Sequence, residues 1–358
     1  MRWDDPEIRE RKTADMNRIL PVLALVSLGA CGTPESDVPE SGTIKPHLAF
    51  TVSSESGLTA ARDLTIDGAG NVFVFDYDDY VIHKFDPTGV ALATFGGPAG
   101  EDAGFLHLMA IRALGDSLLA LDAGSVSVFD LSGQLRSRRA LADTIVCDLP
   151  RLHPDGQWAG EWIIEETAEK ALTHRDAEGL ERSRVAAYAL AELFPGVEPG
   201  EMFFIGPTQA RSYVYDFLPD GRLVWAVSDE AQVHVRRDGE DNPIFSADWS
   251  PLPFPPEQVE LMRDEQANLS PPLFMNVPEN YQLIQHLLVD ETGEIWLYVV
   301  SLDRTGFLHL SDHGEEIDFH AVEADFDLPG ARVTAAGGSL YFLVGGQDET
   351  RIYVSDRP

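Results

Sequence analysis

The stretch from Ala60 to Gly97 sets a pattern that the rest of the chain repeats. Turn residues cut it into four short apolar runs: Leu64–Ile66, Val72–Phe75, Tyr80–Phe85 and Val90–Phe95. The separators are Asp67-Gly68-Ala69-Gly70, the acidic turn Asp76–Asp79, and Asp86-Pro87-Thr88-Gly89. Val, Phe, Ile and Thr runs every eight to ten residues between Gly, Asp and Pro clusters predict a four-stranded antiparallel meander. In Val72-Phe73-Val74-Phe75 both faces are apolar. A sheet with one solvated face has no use for that pattern, so this strand is expected to be covered on both sides.

The first turn recurs at Leu114-Gly115-Asp116, Pro154-Asp155-Gly156, Pro219-Asp220-Gly221, Asp290-Glu291-Thr292-Gly293 and Gly337-Gly338. Each is followed by an apolar run, as in Leu223-Val224-Trp225 and Ile295-Trp296-Leu297. The last turn recurs at Leu131-Ser132-Gly133, Ala177-Glu178-Gly179, Asp238-Gly239 and Asp312-His313-Gly314. Self-similarity at this period is the mark of a repeat architecture. It gives six units, the sixth with only three strands before the chain reaches Pro358. The missing strand is expected from His47–Ser53, where Leu48, Phe50 and Val52 alternate with Ala49, Thr51 and Ser53. Pairing it with Ile352–Ser355 would close a ring and remove two exposed sheet edges.

The unit D-x-x-G-[N/E]-[V/I]-[F/W] … V-F-D … F-D-x-x-G … F-G, fullest in Asp67–Gly97 and repeated from Asp290, resembles that of the NHL-type six-bladed β-propellers. The nearest subgroup is a set of bacterial propeller lipoproteins. The expected fold is therefore all-β: a six-bladed β-propeller of four-stranded antiparallel blades over residues 47–358, closed by an N-terminal strand. Fold alone does not give function. The resemblance spans lyases, lactonases, sugar dehydrogenases and binding proteins.

Repeat spacing locates two departures. Gly89, Gly133, Gly179, Gly239 and Gly314 stand 44, 46, 60 and 75 residues apart. The excess falls near residues 190–206 and 249–280, both between the last strand of one blade and the first of the next. The second insert is Pro-rich and then offers a short helix, with Pro256 near its first turn, Glu257 favouring the dipole, and Val259 and Met262 facing inward. Phe194, Phe203, Phe204, Phe254 and Phe274 are candidates to line a binding groove on the inserts; the competing expectation is that they pin the inserts to the propeller.

In enzymes of the resembled superfamily the reaction takes place at the channel mouth, on polar residues of the innermost strands. Aligned on the turn glycines, those strands open here with Arg62-Asp63, Asp148, Gln285-His286 and Arg332, with His107 just before the second. Arg62, Asp63 and His286 are the catalytic candidates. One or two His among mixed charges is not the metal set of the lyase or lactonase relatives. No nucleophile elbow, P-loop, Cys–His pair or zinc-protease motif is present.

The formal net charge is −34, which would repel phosphate backbones and argues against nucleic acid as a partner. It is compatible with a solubility coat, a basic partner or cation binding. The turns between second and third strands carry Asp76, Asp78 and Asp79; Asp122; Glu165 and Glu166; Asp229 and Glu230; Asp303; Asp348 and Glu349. Propeller geometry would gather these on the face that bears the inserts. Asp76, Asp78 and Asp79 are the metal-ligating candidates, with Ca²⁺ the implied ion, although the spaced Gly and terminal Glu of an EF-hand are missing.

The start of the chain reads as an address. Ile19–Ala30 is apolar but too short to span a bilayer. It ends in Leu28-Gly29-Ala30-Cys31, which resembles the lipobox of bacterial lipoproteins, in which the Cys thiol is acylated and the peptide is cut before it. A signal peptide needs a basic start, yet Met1–Asp15 holds five acids and four bases. Met16-Asn17-Arg18 fits better, so translation is expected to begin at Met16. Gly32 after the Cys is compatible with sorting to an outer membrane. Residues 32–46 are rich in Pro, Ser, Gly and acids and read as a flexible tether. Cys147, the other of the two cysteines, reads as an inert core thiol. The leading expectation is a lipid-anchored binding or scaffold propeller of the cell envelope, with a protein, peptide or glycan partner. The alternatives are a channel-mouth enzyme of lyase or lactonase type and a purely structural envelope protein.

Overall fold

The computed structural model describes residues 40–100, 103–142, 148–164, 167, 169–189, 211–237, 239–267, 277–326, 328, 330–346 and 349–356. Among the described residues it is all-β: six four-stranded antiparallel blades with one α-helix. Blade one spans Ala61–Gly96, blade two Leu108–Ala140, blade three Asp148–Ala189, blade four Tyr213–Ser246, blade five Ile284–Val322 and blade six Arg332–Asp356. The innermost strands are Ala61–Ile66, Leu108–Leu114, Asp148–Leu152, Tyr213–Phe217, Ile284–Val289 and Arg332–Ala336. Each contacts the next, and the sixth contacts the first, so the inner strands form a closed ring around a channel. Among the described residues, no helix is long and apolar enough to cross a membrane.

Sandwiching between blades explains the doubly apolar strand of blade one. Val72 and Val74 pack towards blade six, against Phe50, Val52, Leu343 and Ile352. Phe73 and Phe75 pack towards blade two, against Leu118, Ala120 and Phe129. All four are at most 1% exposed. The closing strand is where the alternation places it. His47–Ser53 pairs antiparallel with Glu349–Asp356, His47 opposite Val354 and Ser53 opposite Glu349. Its inward residues Phe50 and Val52 are buried, while Leu48 is exposed.

The repeated D-x-x-G turns have a common construction. Asp86 Oδ1 accepts from the N–H groups of Thr88 and Val90, at 2.8 and 3.0 Å. Asp130 does the same with Ser132 and Gln134, and Asp176 with Glu178 and Leu180. The fourth residue, Gly89 or Gly133, sits at φ of 87° or 91°, the left-handed region glycine tolerates. These glycines also touch the preceding blade. A Cβ on Gly89 would lie 2.6 Å from Phe50, and one on Gly133 would lie 2.5 Å from Phe95.

One part of the chain departs from expectation. Within the segment read as a tether, Glu40–Ile44 forms a strand that lies parallel to Glu316–Val322, as a fifth strand on the outer edge of blade five. Its anchor is Ile44, 1% exposed in a cluster with Trp296, Tyr298 and Phe342. A lone apolar residue in a polar, Gly-containing stretch carries no periodicity, so only the edge it covers reveals it. The expected helix is present over Pro256–Ala267. Val259 on it is buried, and Met262 is half-buried.

Candidate ligand site in the central channel

The inner strands bring a set of charged side chains to the channel. Asp63, third residue of its strand, is 3% exposed. Its Oδ1 lies 3.1 Å from Nε of Arg332 on blade six, and its Oδ2 accepts the backbone N–H of Ile111 on blade two at 3.3 Å. Arg112 Nη1 donates to the Leu152 carbonyl of blade three at 2.7 Å and lies 3.6 Å from Asp216 Oδ1 of blade four. Asp216 Oδ2 accepts the N–H of Val289 on blade five at 3.1 Å. His286 of blade five lies 3.3 Å from the Leu328 carbonyl, just before blade six. A carbonyl can only accept, so Nε2 carries the proton. These contacts run round all six blades.

The electrostatics follow from this enclosure. Burial, with lesser contributions from Arg332 and Arg151, lowers His286 to about 4, so it is neutral at physiological pH. Burial and the Arg151 charge also push Arg332 down, against the pull of Asp63. Arg332 remains a guanidinium, because its intrinsic basicity is so high. Blades three and six stand opposite each other in a ring of six, and the Arg151 charge acts on Arg332 across the channel.

Of the catalytic candidates, the structure brings Asp63 together with Arg332 and places His286 within the charge field of Arg332. Arg62 belongs to another cluster. Its guanidinium lies 5.0 Å from the centre of the Tyr77 ring, and Tyr77 in turn meets His107 edge-on at 5.4 Å. His107 Nδ1 is 3.3 Å from the Tyr80 hydroxyl. Burial lowers the His107 pKa, opposed by Asp122 and aided by Arg62. Gln285 donates to the Gln282 carbonyl, and the Asp148 side chain lies outside the described residues. Arg112, Arg151 and Asp216 are not among the sequence candidates, because those are the residues that open each strand and these three lie at later positions. Arg151 and Asp216 both occupy the penultimate position of their strands, and a charge at that position in two blades is the signal that could have found them.

Two of the turn acids, Asp76 and Asp122, are engaged by the fold itself. Asp76 is fully buried. Its Oδ2 accepts the N–H groups of Thr59 and Ala60 at 2.5 and 3.1 Å, and its Oδ1 accepts that of Asp78 at 2.9 Å. Asp122 is buried too, accepting the N–H of His107 at 2.5 Å. Both carboxylates fasten the entry of the innermost strand to the end of the second. Asp78 and Asp79 are exposed. Among the described residues no group of three or more His, Cys, Asp or Glu is arranged to hold a metal ion. Elsewhere on the rim, Arg211 lies 3.4 Å from Asp229 and 2.6 Å from Glu230, and Asp303 accepts the Ser250 N–H.

Of the insert aromatics, Phe254 is 4% exposed and packs on Tyr281 with ring centres 4.0 Å apart. Phe194, Phe203, Phe204, Phe274, Glu165, Glu166, Asp348, Cys31 and Cys147 lie outside the described residues.

No protein-family profile and no curated protein matches the chain by sequence. Solved structures do match by fold. One is a protein of Bacteroides fragilis described as exported, with a TM-score of 0.53 at 9% identity over 90% of this chain and 98% of that one. The calcium-binding protein regucalcin of Agrobacterium tumefaciens gives 0.47 at 12% identity over 88% and 97%. A gluconolactonase of Xanthomonas campestris gives 0.45 at 12% over 92% and 98%. At such identities the likeness is one of fold, and the first of the three carries it.

Proposed function

We propose that this chain is an exported propeller, lipid-anchored at Cys31 in the cell envelope, that binds a ligand or partner at the channel mouth and does not transform it. The observation that carries the reading is the engagement of Asp63. A carboxylate with one oxygen engaged by a guanidinium and the other by a backbone N–H is already committed to the fold and offers no free oxygen aimed at a substrate proton. His286 supports the same reading, since its one N–H is directed at a backbone carbonyl. The exported relative in fold and the lipobox-like Leu28–Cys31 agree with an envelope address.

Two measurements test it. Mass spectrometry of the protein from its native envelope should find an acylated amino terminus at Cys31, and Cys31→Ser should release the protein from membranes. A lactone and lyase substrate panel, run with and without added divalent metals, should give no turnover. Turnover that disappears in Asp63→Asn would overturn the binding reading in favour of the enzyme.

A further inference from the structure

Among the described residues, the channel holds more positive charge than its carboxylates neutralise. Arg112 is matched by Asp216 and Arg332 by Asp63. Arg151, on the blade opposite that of Arg332, forms no ion pair with a described carboxylate, yet its charge reaches both His286 and Arg332. His286 offers no compensating negative charge and is itself neutral. Arg332 Nη2 is fully buried and meets no acceptor among the described residues, although Nε of the same group is held by Asp63. A buried guanidinium N–H without an acceptor is costly, and two guanidiniums in one channel repel. One group relieves both penalties: an oxyanion between them, accepting from Nη2 of Arg332 and from Arg151. The planar guanidinium fork matches the paired oxygens of a carboxylate or phosphate.

We propose that the channel is an anion site, in which Arg151 and Arg332 hold the carboxylate or phosphate of a small ligand between blades three and six. The proposal rests on the binding reading above and gives its ligand a chemical class. It runs against the charge of the molecule as a whole. At −34, the protein repels anions at long range. Salt screens that field over about 8 Å at physiological ionic strength, so contacts inside the channel decide the outcome. Diffuse anion attraction is therefore a poor rival explanation for any saturable anion effect.

The test is a calorimetric and thermal-melt titration of the purified full chain with sodium phosphate and with sodium acetate. Sodium chloride holds the ionic strength constant. Saturable binding of phosphate or acetate, with a raised melting temperature, is expected, and whichever probe binds more tightly assigns the headgroup. Arg151→Gln leaves the Asp63–Arg332 pair intact and should weaken that binding tenfold or more without lowering the melting temperature of the ligand-free protein. Arg136→Gln, at an exposed pair with Asp116, should leave binding unchanged. No saturation with either probe, an equal response to chloride, or unchanged affinity in Arg151→Gln would overturn the site. Lactone turnover by the same preparation would remove the binding reading while leaving the anion titration standing, so the two failures are distinguishable.

Discussion

Asp63 and Arg332 stand 269 residues apart and meet at 3.1 Å, joining the first blade to the last where the ring closes. The pair is largely buried, with side-chain exposures of 5% and 16%. Removing one partner strands the other charge in the channel, which typically costs about 3–5 kcal/mol for a buried pair. Asp63→Asn should therefore lower the urea midpoint sharply. The double change Asp63→Asn, Arg332→Gln should recover part of that loss, giving a coupling energy of at least about 1 kcal/mol in a double-mutant cycle. Additive losses would mean that the pair does not hold the seam.

Much of this seam was legible in the sequence. A sixth unit with three strands and an unpartnered alternating segment at His47–Ser53 were enough to predict the closure, because strand edges must be paired. The position of Asp63 on an inner strand followed from turn spacing. Its partner did not, since a contact across the ring depends on the stagger between blades, which turn spacing does not fix. Asp76 shows the opposite failure. Its neighbours Asp78 and Asp79 make it look like part of a surface acidic cluster. As the last residue of a fully buried strand, however, it points inward, where the unpaired N–H groups of Thr59 and Ala60 need an acceptor.

The contact between Gly89 and Phe50 makes a second, controlled prediction. Gly89→Ala must tolerate a positive φ and also displace the Phe50 ring from 2.6 Å. Gly239 has the same φ of 87° with nothing within 4 Å of a built Cβ. The backbone penalty, about 1 kcal/mol, is common to both. Only Gly89→Ala should add an overpacking loss of about 1–3 kcal/mol. Equal denaturant midpoints for the two variants would show that the ring moves freely and that blade six is not tightly packed on blade one.

Ile44 tests the extra strand. Ile44→Ala should cost about 2–4 kcal/mol, as for a large apolar side chain removed from a closed core. A flexible tether would give no change. Hydrogen exchange should also show Glu316–Val322 protected on its outer edge, and that protection should fall in the variant.

The channel histidine makes stability depend on pH in a defined window. His286 is held at about 4 in the folded protein, against an ordinary value of 6.5. Between those values the unfolded chain binds more protons, so stability present above pH 6.5 is lost as the pH falls towards 4. Each tenfold difference in proton affinity between the folded and unfolded chain is worth about 1.4 kcal/mol, so the loss is on the order of 3 kcal/mol. His174, also lowered to about 4 by burial first and then by Arg182, acts in the same direction. His286→Gln keeps an amide donor for the Leu328 carbonyl but cannot titrate. The stability difference between wild type and this variant should therefore change across pH 6.5 to 4.5 and be constant above 7. A pH-independent difference would place the His286 pKa near its ordinary value.

The acidic turns lead to a prediction about calcium. Asp76 and Asp122 each accept backbone N–H groups at the entry to an innermost strand, so their carboxylates serve the fold. Replacing Asp76 by Asn substitutes an N–H donor for one acceptor oxygen, opposite the N–H groups of Thr59, Ala60 or Asp78. An unsatisfied buried donor costs about 1–3 kcal/mol. Asp76→Asn should be destabilised by that amount, with Asp122→Asn affected in the same direction. Asp78→Asn and Asp79→Asn, both at exposed positions, should change stability less than Asp76→Asn, because exposed substitutions usually stay within about 0.5 kcal/mol. If these roles are right, CaCl₂ should raise the melting temperature no more than NaCl at matched ionic strength, in the parent and in every variant. Stoichiometric Ca²⁺ binding that Asp76→Asn abolishes at unchanged stability would reverse the assignment, making Asp76 a ligand and its backbone contacts incidental.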